Sequence, residues 1–202
     1  MPIEVTDVGH SYRRGVPVLH GVSFDVADGE LLALTGPSGS GKSTLLQLLG
    51  RLLSVQTGVI SGRPPIDQIR WVFQMPTALG RRSAFDNVRL GVLGDRDGAA
   101  ATERAMRAVG LGEVAGQRAN TLSGGQLQRI QVARALVGRP PLVIAEEPSA
   151  QLDRRATEAV IGALRAVRSA TTTIIVATHD PTVAAACDRE LRIHDGRIST
   201  DK

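Results

Sequence analysis

The sequence predicts an α/β fold, a parallel-sheet core carrying an antiparallel β subdomain and an inserted helical subdomain. Three observations carry this expectation. A mostly apolar run at 30–35 ends in Gly36-Pro37-Ser38-Gly39-Ser40-Gly41-Lys42-Ser43, and helical spacing follows, with Leu45, Leu48, Leu49 and Leu52 apolar. Short apolar or β-branched runs recur at 69–73, 142–145 and 172–178, as strands of a buried parallel sheet do. From 75 to about 121 the strand character gives way to Gly, Arg and Ala. At 202 residues one domain is expected, with its core at 1–74 and 122–202 and the helical subdomain at about 75–121.

The elements follow in order. Residues 3–8 and 18–26 alternate as antiparallel strands do, with Arg13-Arg14-Gly15-Val16-Pro17 as the turn between them. The strand at 30–35 and the helix at 44–53 flank the glycine run, and 69–73 is the next strand. Helical stretches at 84–90 and 99–109 fill the insertion. Beyond it come a helix at 126–137, a strand at 142–145, a helix at 154–169, a strand at 172–178 and a short helix at 181–187. A hairpin over 190–198, broken by Asp195-Gly196, closes the chain.

The glycine run fits G-x-x-x-x-G-K-[ST], a phosphate-binding loop, and it has the strand–loop–helix context that this motif requires. Glycines let backbone N–H groups turn toward phosphate oxygens, and the helix N-terminus adds partial positive charge. A nucleoside triphosphate is the expected ligand, cradled by Gly36 to Ser43 and Thr44. Lys42 is expected on the β and γ phosphates and the Ser43 hydroxyl on Mg²⁺.

Composition narrows the partners. The net charge is +4, from 24 Lys plus Arg against 20 Asp plus Glu, so only a mild attraction to acidic surfaces is expected. One Trp, one Tyr and three Phe give few platforms for stacked bases, which argues against nucleic acid as a partner. Cys187 is the only cysteine, so neither an internal disulfide nor a cysteine zinc cluster is possible. The acidic, mixed start of the chain is unlike a signal peptide, and no apolar run approaches the roughly twenty residues a bilayer needs. A soluble, cytosolic chain is expected.

A phosphate-binding loop alone leaves kinases, GTPases, helicases and transport ATPases open. No Asn-Lys-x-Asp run, the guanine clamp of GTPases, is present, whereas Leu122-Ser123-Gly124-Gly125-Gln126 is. With that pentapeptide the chain resembles the ATP-binding-cassette (ABC) ATPases along essentially its whole length. Leu122 to Leu136 looks like the family signature and the helix after it, and Gln74 like the Q-loop glutamine. Leu142-Val143-Ile144-Ala145-Glu146-Glu147-Pro148 looks like Walker B, and Ala150-Gln151-Leu152-Asp153 like the D-loop. His179 in Ala-Thr-His-Asp matches the switch histidine, and Tyr12 sits where an adenine-stacking aromatic is usual.

The resemblance implies a P-loop NTPase core of RecA-like type that binds ATP and Mg²⁺. Ser123, Gly124, Gly125 and Gln126 open a helix, a second anion-binding terminus that in the family caps the γ phosphate held by the opposite subunit. One loop and one signature per chain then imply two composite sites in a two-fold dimer, a homodimer by expectation, with Asp153 among the nucleotide-binding residues. Ser43, Gln74 and Glu146 are the implied metal-supporting residues. Glu147, His179 and Gln74 are the implied catalytic group: Glu147 orients water and accepts its proton, His179 contacts the γ phosphate and that carboxylate, and Gln74 senses the γ phosphate. His10, His20 and His194 lack such context and read as structural.

Three departures from the family stand out. Glu146 replaces the usual aspartate, Ala-Gln-Leu-Asp replaces Ser-Ala-Leu-Asp, and the segments on either side of Gln74 are short. The implied function is an ABC transporter ATPase subunit that powers a separate permease from the inner face of the cell membrane. The Thr-His-Asp-Pro run resembles cassettes of the lipoprotein-release and macrolide-efflux type. The alternatives are a non-transport cytosolic ABC ATPase, or a slow regulatory cassette that binds ATP with little turnover.

Overall fold

The computed structural model describes residues 2–13, 15–150, 152–167 and 171–199. Arg14 of the expected 13–17 turn, Gln151 of the Ala-Gln-Leu-Asp run and 168–169 of the expected 154–169 helix lie outside the described residues.

Two sheets form the frame. The smaller joins β1 (Ile3–Arg13), β2 (Val16–Val26) and β4 (Thr57–Ser61) in the order β2-β1-β4, all antiparallel. The larger contains β3 (Leu31–Thr35), β5 (Ile69–Val72), β6 (Leu142–Glu146), β7 (Thr173–Ala177), β8 (Arg189–His194) and β9 (Arg197–Ser199). Its order is β5-β6-β7-β3-β8-β9, parallel except for β9 at the edge. The helices are α1 (Lys42–Leu49), α2 (Ala84–Arg89), α3 (Gly98–Ala108), α4 (Gly124–Leu136), α5 (Arg154–Val167) and α6 (Pro181–Ala185).

Side-chain alternation explains why both faces of the large sheet are covered. Val143, Ala145, Ile174 and Val176 face a core shared with α2, α3, α4 and α5. Leu142, Ile144, Ile175 and Ala177 face a second core with α1 and the antiparallel sheet. A parallel sheet needs apolar residues at every position for this reason, and β6 and β7 supply them.

Register decides where the site falls. Glu146 pairs with Ala177, and Ala177 with Leu34, so the C-terminal ends of β6, β7 and β3 lie side by side. The residues that follow each strand, Glu147, Thr178–His179 and Gly36, therefore leave the sheet along one edge, where α/β sheets place ligands. Arg189 fastens the antiparallel sheet to this frame. Its Nε donates to Glu30 Oε1 at 2.7 Å, and its Nη2 donates to the Asp25 carbonyl.

The structure changes several expected boundaries. β1 and β2 run to Arg13 and from Val16, well past 8 and before 18, and so shorten the turn. β4 has no counterpart in the sequence reading. Of its five residues only Ile60 is buried, so an edge strand with one core contact leaves no alternating pattern. α1 stops at Leu49 rather than 53 because Gly50 caps it, and a Cβ there would lie 2.0 Å from the Trp71 ring. The closing hairpin is half parallel sheet: β8 pairs with β3, and only β9 folds back, through Asp195 (φ 45°) and Gly196 (φ 69°).

Candidate nucleotide site

The glycine loop links β3 to α1 and wraps one end of a cleft of about 580 Å³. Gly36 has φ 143°, and a Cβ on it would lie 2.0 Å from the Ile193 carbonyl oxygen of β8. Only glycine lets the loop leave the sheet that close to its neighbour. Gly41, at φ 106°, occupies the N-cap position of α1, so the backbone enters the helix from a conformation that side chains rarely adopt. The Lys42 ammonium curls back over the loop, donating to the carbonyls of Gly36 (2.7 Å) and Pro37 (2.9 Å). The Ser43 hydroxyl donates to Glu146 Oε1.

The strand ends supply the opposite wall. Glu147 is left-handed at φ 47°, a conformation that costs a non-glycine residue on the order of 1–2 kcal/mol. Its N–H still reaches Ala177 O at 2.8 Å, continuing the sheet pairing while the chain turns. Its carboxylate is only 12% exposed. It accepts from His179 Nδ1 at 2.8 Å, from Thr178 Oγ1 at 3.3 Å and from the His179 N–H at 3.4 Å. His179 itself is open to solvent, 78% exposed. Its pKa is raised above the ordinary imidazole value, first by the hydrogen bond to Glu147 and then by that carboxylate's charge.

Of the residues singled out in the sequence, Gly36 to Gly39, Gly41 to Thr44, Gln74, Glu146, Glu147 and His179 line this one cleft. Ser40 turns inward instead, and its buried Oγ has no partner among the described residues. Tyr12 stands beside the cleft and is 59% exposed. Its hydroxyl lies 3.2 Å from Thr44 Oγ1 and 3.4 Å from Gln47 Oε1, and His10 meets its ring edge-on at 5.0 Å.

The second glycine motif lies elsewhere. Ser123 is the N-cap of α4 in a reciprocal capping box: Gln126 N–H reaches Ser123 Oγ at 3.3 Å, and Ser123 N–H reaches Gln126 Oε1 at 2.9 Å. None of Ser123, Gly124, Gly125 and Gln126 lines the cleft of the same chain. Asp153 does not either; its carboxylate accepts the Ala156 N–H at 2.7 Å at the start of α5. Sequence reasoning missed Val18 and Ala177 as lining residues and Thr178 as a partner of Glu147. Thr178 lay in the Ala-Thr-His-Asp run, whereas Val18 carried no signal of its own.

Comparisons with known proteins show the family. The family model described as ABC transporter matches residues 19–150. The chain is 40% identical to the lipoprotein-releasing system ATP-binding protein LolD of Anaeromyxobacter dehalogenans, over 98% of this chain and 93% of that one. It is 35% identical to the uncharacterized ABC transporter ATP-binding protein YknY of Bacillus subtilis, over 97% and 94%. With the macrolide export ATP-binding/permease protein MacB of Syntrophobacter fumaroxidans it shares 37% identity over 98% of its own length but 31% of that larger protein. A solved dimeric ATP-binding cassette, in a post-hydrolysis state with ADP and Pi, superposes with a TM-score of 0.85 at 28% identity, covering 99% and 97% of the two chains. The chain belongs to the ABC transporter family as an ATP-binding, ATP-hydrolysing subunit. Within the family it falls in the group of LolD and MacB ATP-binding proteins.

The His179–Glu147 contact makes a prediction about protonation. A raised pKa means that the folded state favours the imidazolium. The pair's contribution is therefore complete below the unfolded value of about 6.5 and fades as pH rises through the folded value. Titrating the His179 ring protons by NMR is expected to give a pKa above 6.5, and Glu147→Gln is expected to bring it down. An unchanged His179 pKa in Glu147→Gln contradicts the assignment of cause.

Proposed function

We propose that two copies of this chain hold two ATP molecules between them. Each ATP lies on the glycine loop of one copy and is capped by the α4 N-terminus of the other. The observation that carries this reading is the separation of the two glycine motifs: the signature at Ser123 does not line the cleft that needs a cap. A two-fold pair brings each terminus to the other's phosphates.

The residues divide the chemistry. Lys42 exchanges its carbonyl partners for the β and γ phosphates. The Ser43 hydroxyl and Glu146 carboxylate touch, and Gln74 lines the same cleft, so oxygen donors of the kind Mg²⁺ prefers face one cavity. No group of three or more His, Cys, Asp or Glu is available among the described residues, so the remaining ligands come from phosphate and water. The ion supplies neutralising charge to the transferring phosphoryl group. Glu147 holds the attacking water and accepts its proton. While His179 donates to it, one oxygen of that carboxylate is occupied. A γ phosphate that draws the imidazole toward itself frees Glu147 only when substrate is present. Tyr12 presents its exposed face to adenine.

The cycle drives a membrane partner. LolD and YknY, matched over 93% and 94% of their own lengths, are ATP-binding proteins by name, which supports a separate permease, with this chain peripheral on the inner face of the cell membrane; no helix among the described residues is long and apolar enough to cross a membrane. The insertion offers a groove of about 320 Å³ lined by Leu79, Arg82, Asp86, Arg89, Leu90 and Leu93. Leu79 is 51% exposed and Leu93 71%. A permease segment with an apolar face and flanking charges fits it.

One observation favours a second reading, a slow cassette that closes on ATP with little turnover. Glu146 is one methylene longer than aspartate, about 1.5 Å of reach, and its oxygen already engages Ser43 Oγ. A displacement of about 1 Å in a reacting geometry can cost on the order of a hundredfold in rate.

Two measurements test these readings. Glu147→Gln with ATP and Mg²⁺ is expected to elute as a dimer in gel filtration, and as a monomer without nucleotide; equal dimer in both conditions contradicts the shared site. Glu146→Asp is expected to raise turnover or lower the Mg²⁺ needed for half-maximal ATPase rate. A clear loss of activity in Glu146→Asp means that the site is built around glutamate.

A further inference from the structure

Gln74 sits on the segment that leaves β5 for the helical insertion, and one buried side chain holds that segment on both sides. Gln131 of α4 has no exposed surface. Its Nε2 donates to Phe73 O at 2.6 Å, just before Gln74. Its Oε1 accepts the Thr77 N–H at 3.1 Å and the Thr77 hydroxyl at 3.0 Å, just after it. Two neighbours reinforce the grip. Gln128 Nε2 reaches Phe73 O at 3.3 Å, and Arg134 Nη2 reaches Thr77 O at 2.8 Å and Thr77 Oγ1 at 3.0 Å. Residues 128, 131 and 134 are three apart and so lie along one side of α4. Gln128 Oε1 has no partner among the described residues, so Gln131 is the better-satisfied half of the clamp.

The same helix carries the capping terminus. α4 is a single helix from Gly124 to Leu136, with Ser123 as its N-cap and Ile130, Val132, Ala133 and Leu136 in the core. A displacement of the Gln74 segment is therefore passed through a rigid element to Ser123. We propose that Gln131 is a positioning residue whose buried amide ties the Gln74 segment to α4, so that contact between Gln74 and the γ phosphate sets the orientation of the terminus offered to the second copy. The inference rests on the two-copy reading above and adds the part that connects its two halves. Buried amides bonded at both ends carry such a coupling well, because breaking either end strands a polar group away from water.

The chain contains its own reporter. Trp71 is its only tryptophan, and the indole stacks on the Phe73 ring at 5.3 Å and 9°. Phe73 is the residue whose carbonyl Gln131 holds, so movement of the segment alters the surroundings of Trp71.

The test uses Gln131→Met, which keeps the volume and removes the hydrogen bonds, in the full chain carrying Glu147→Gln. Trp71 emission and gel filtration are read with ADP and with ATP, each with Mg²⁺. The parent is expected to show a Trp71 change and a dimer with ATP but not with ADP. Gln131→Met is expected to bind ADP as the parent does, to lose the ATP-specific Trp71 change and to dimerise about tenfold more weakly, the equivalent of one buried hydrogen bond. A folded Gln131→Met with the parent's ATP response overturns the proposal. If Gln131→Met does not fold, Thr77→Val decides, because it removes only an exposed residue's hydroxyl from the clamp. Weaker ATP-dependent dimerisation supports the coupling, and parental behaviour overturns it. A parent that responds identically to ADP and ATP overturns the two-copy reading and the coupling with it.

Discussion

The parallel register of β6, β7 and β3 is the constraint on which the rest depends. It sets Glu146, Ala177 and Leu34 in one row, so three segments far apart in the chain emerge together. The glycine loop, the two adjacent glutamates and His179 meet because their strands end level. A one-residue slip of β6 would turn Glu146 and Glu147 to opposite faces and separate them from Ser43 and His179. The two cores on either side of the sheet hold that register. Each of β6 and β7 puts alternate side chains into a different core, so a slipped strand would exchange both sets at once.

The site built on that edge satisfies several of its own polar groups. Lys42 rests on loop carbonyls, Ser43 on Glu146, and His179 on Glu147. Each contact uses a group that the proposed chemistry assigns to phosphate, metal or water, so ATP binding exchanges one set of polar contacts for another. That exchange limits the cost of keeping charged groups poised in a cleft. In the proposed chemistry it also makes the response selective, because only a ligand that reaches His179 releases it from Glu147. The left-handed backbone at Glu147 belongs to the same design, since it turns the carboxylate into contact with His179 while the N–H stays in the sheet.

How legible this was in the sequence depends on how local each signal is. The strand–loop–helix at 30–53 is a contiguous pattern in which glycine spacing, apolar runs and helical periodicity agree, and the structure follows it except that α1 ends early, at Leu49. β6 and β7 were equally plain, because strands covered on both faces are apolar throughout. β4 was not legible, since its stability comes from pairing with β1 and its only core residue is Ile60. The signature motif was legible as a motif, but its distance from its own chain's cleft is a tertiary fact. Gln131 was invisible for a related reason. A glutamine within an amphipathic helix reads as surface, and only the approach of the 73–77 segment makes it a buried tie. Asp153 reads in sequence as part of a nucleotide motif, and in the folded chain its carboxylate meets the first turn of α5.

If each ATP site is shared between two copies, two differently disabled chains complement each other when mixed. Lys42→Ala lacks the cation of the phosphate cradle but keeps an intact α4 terminus. Ser123→Arg keeps the cradle but blocks the terminus with bulk and charge. Each alone is expected to be inactive. Mixed in equal amounts, they are expected to recover about a quarter of the wild-type ATPase rate, because random pairing puts half of the chains in mixed dimers with one intact site of two. No recovery on mixing, or full activity of Ser123→Arg alone, would contradict a site shared between copies.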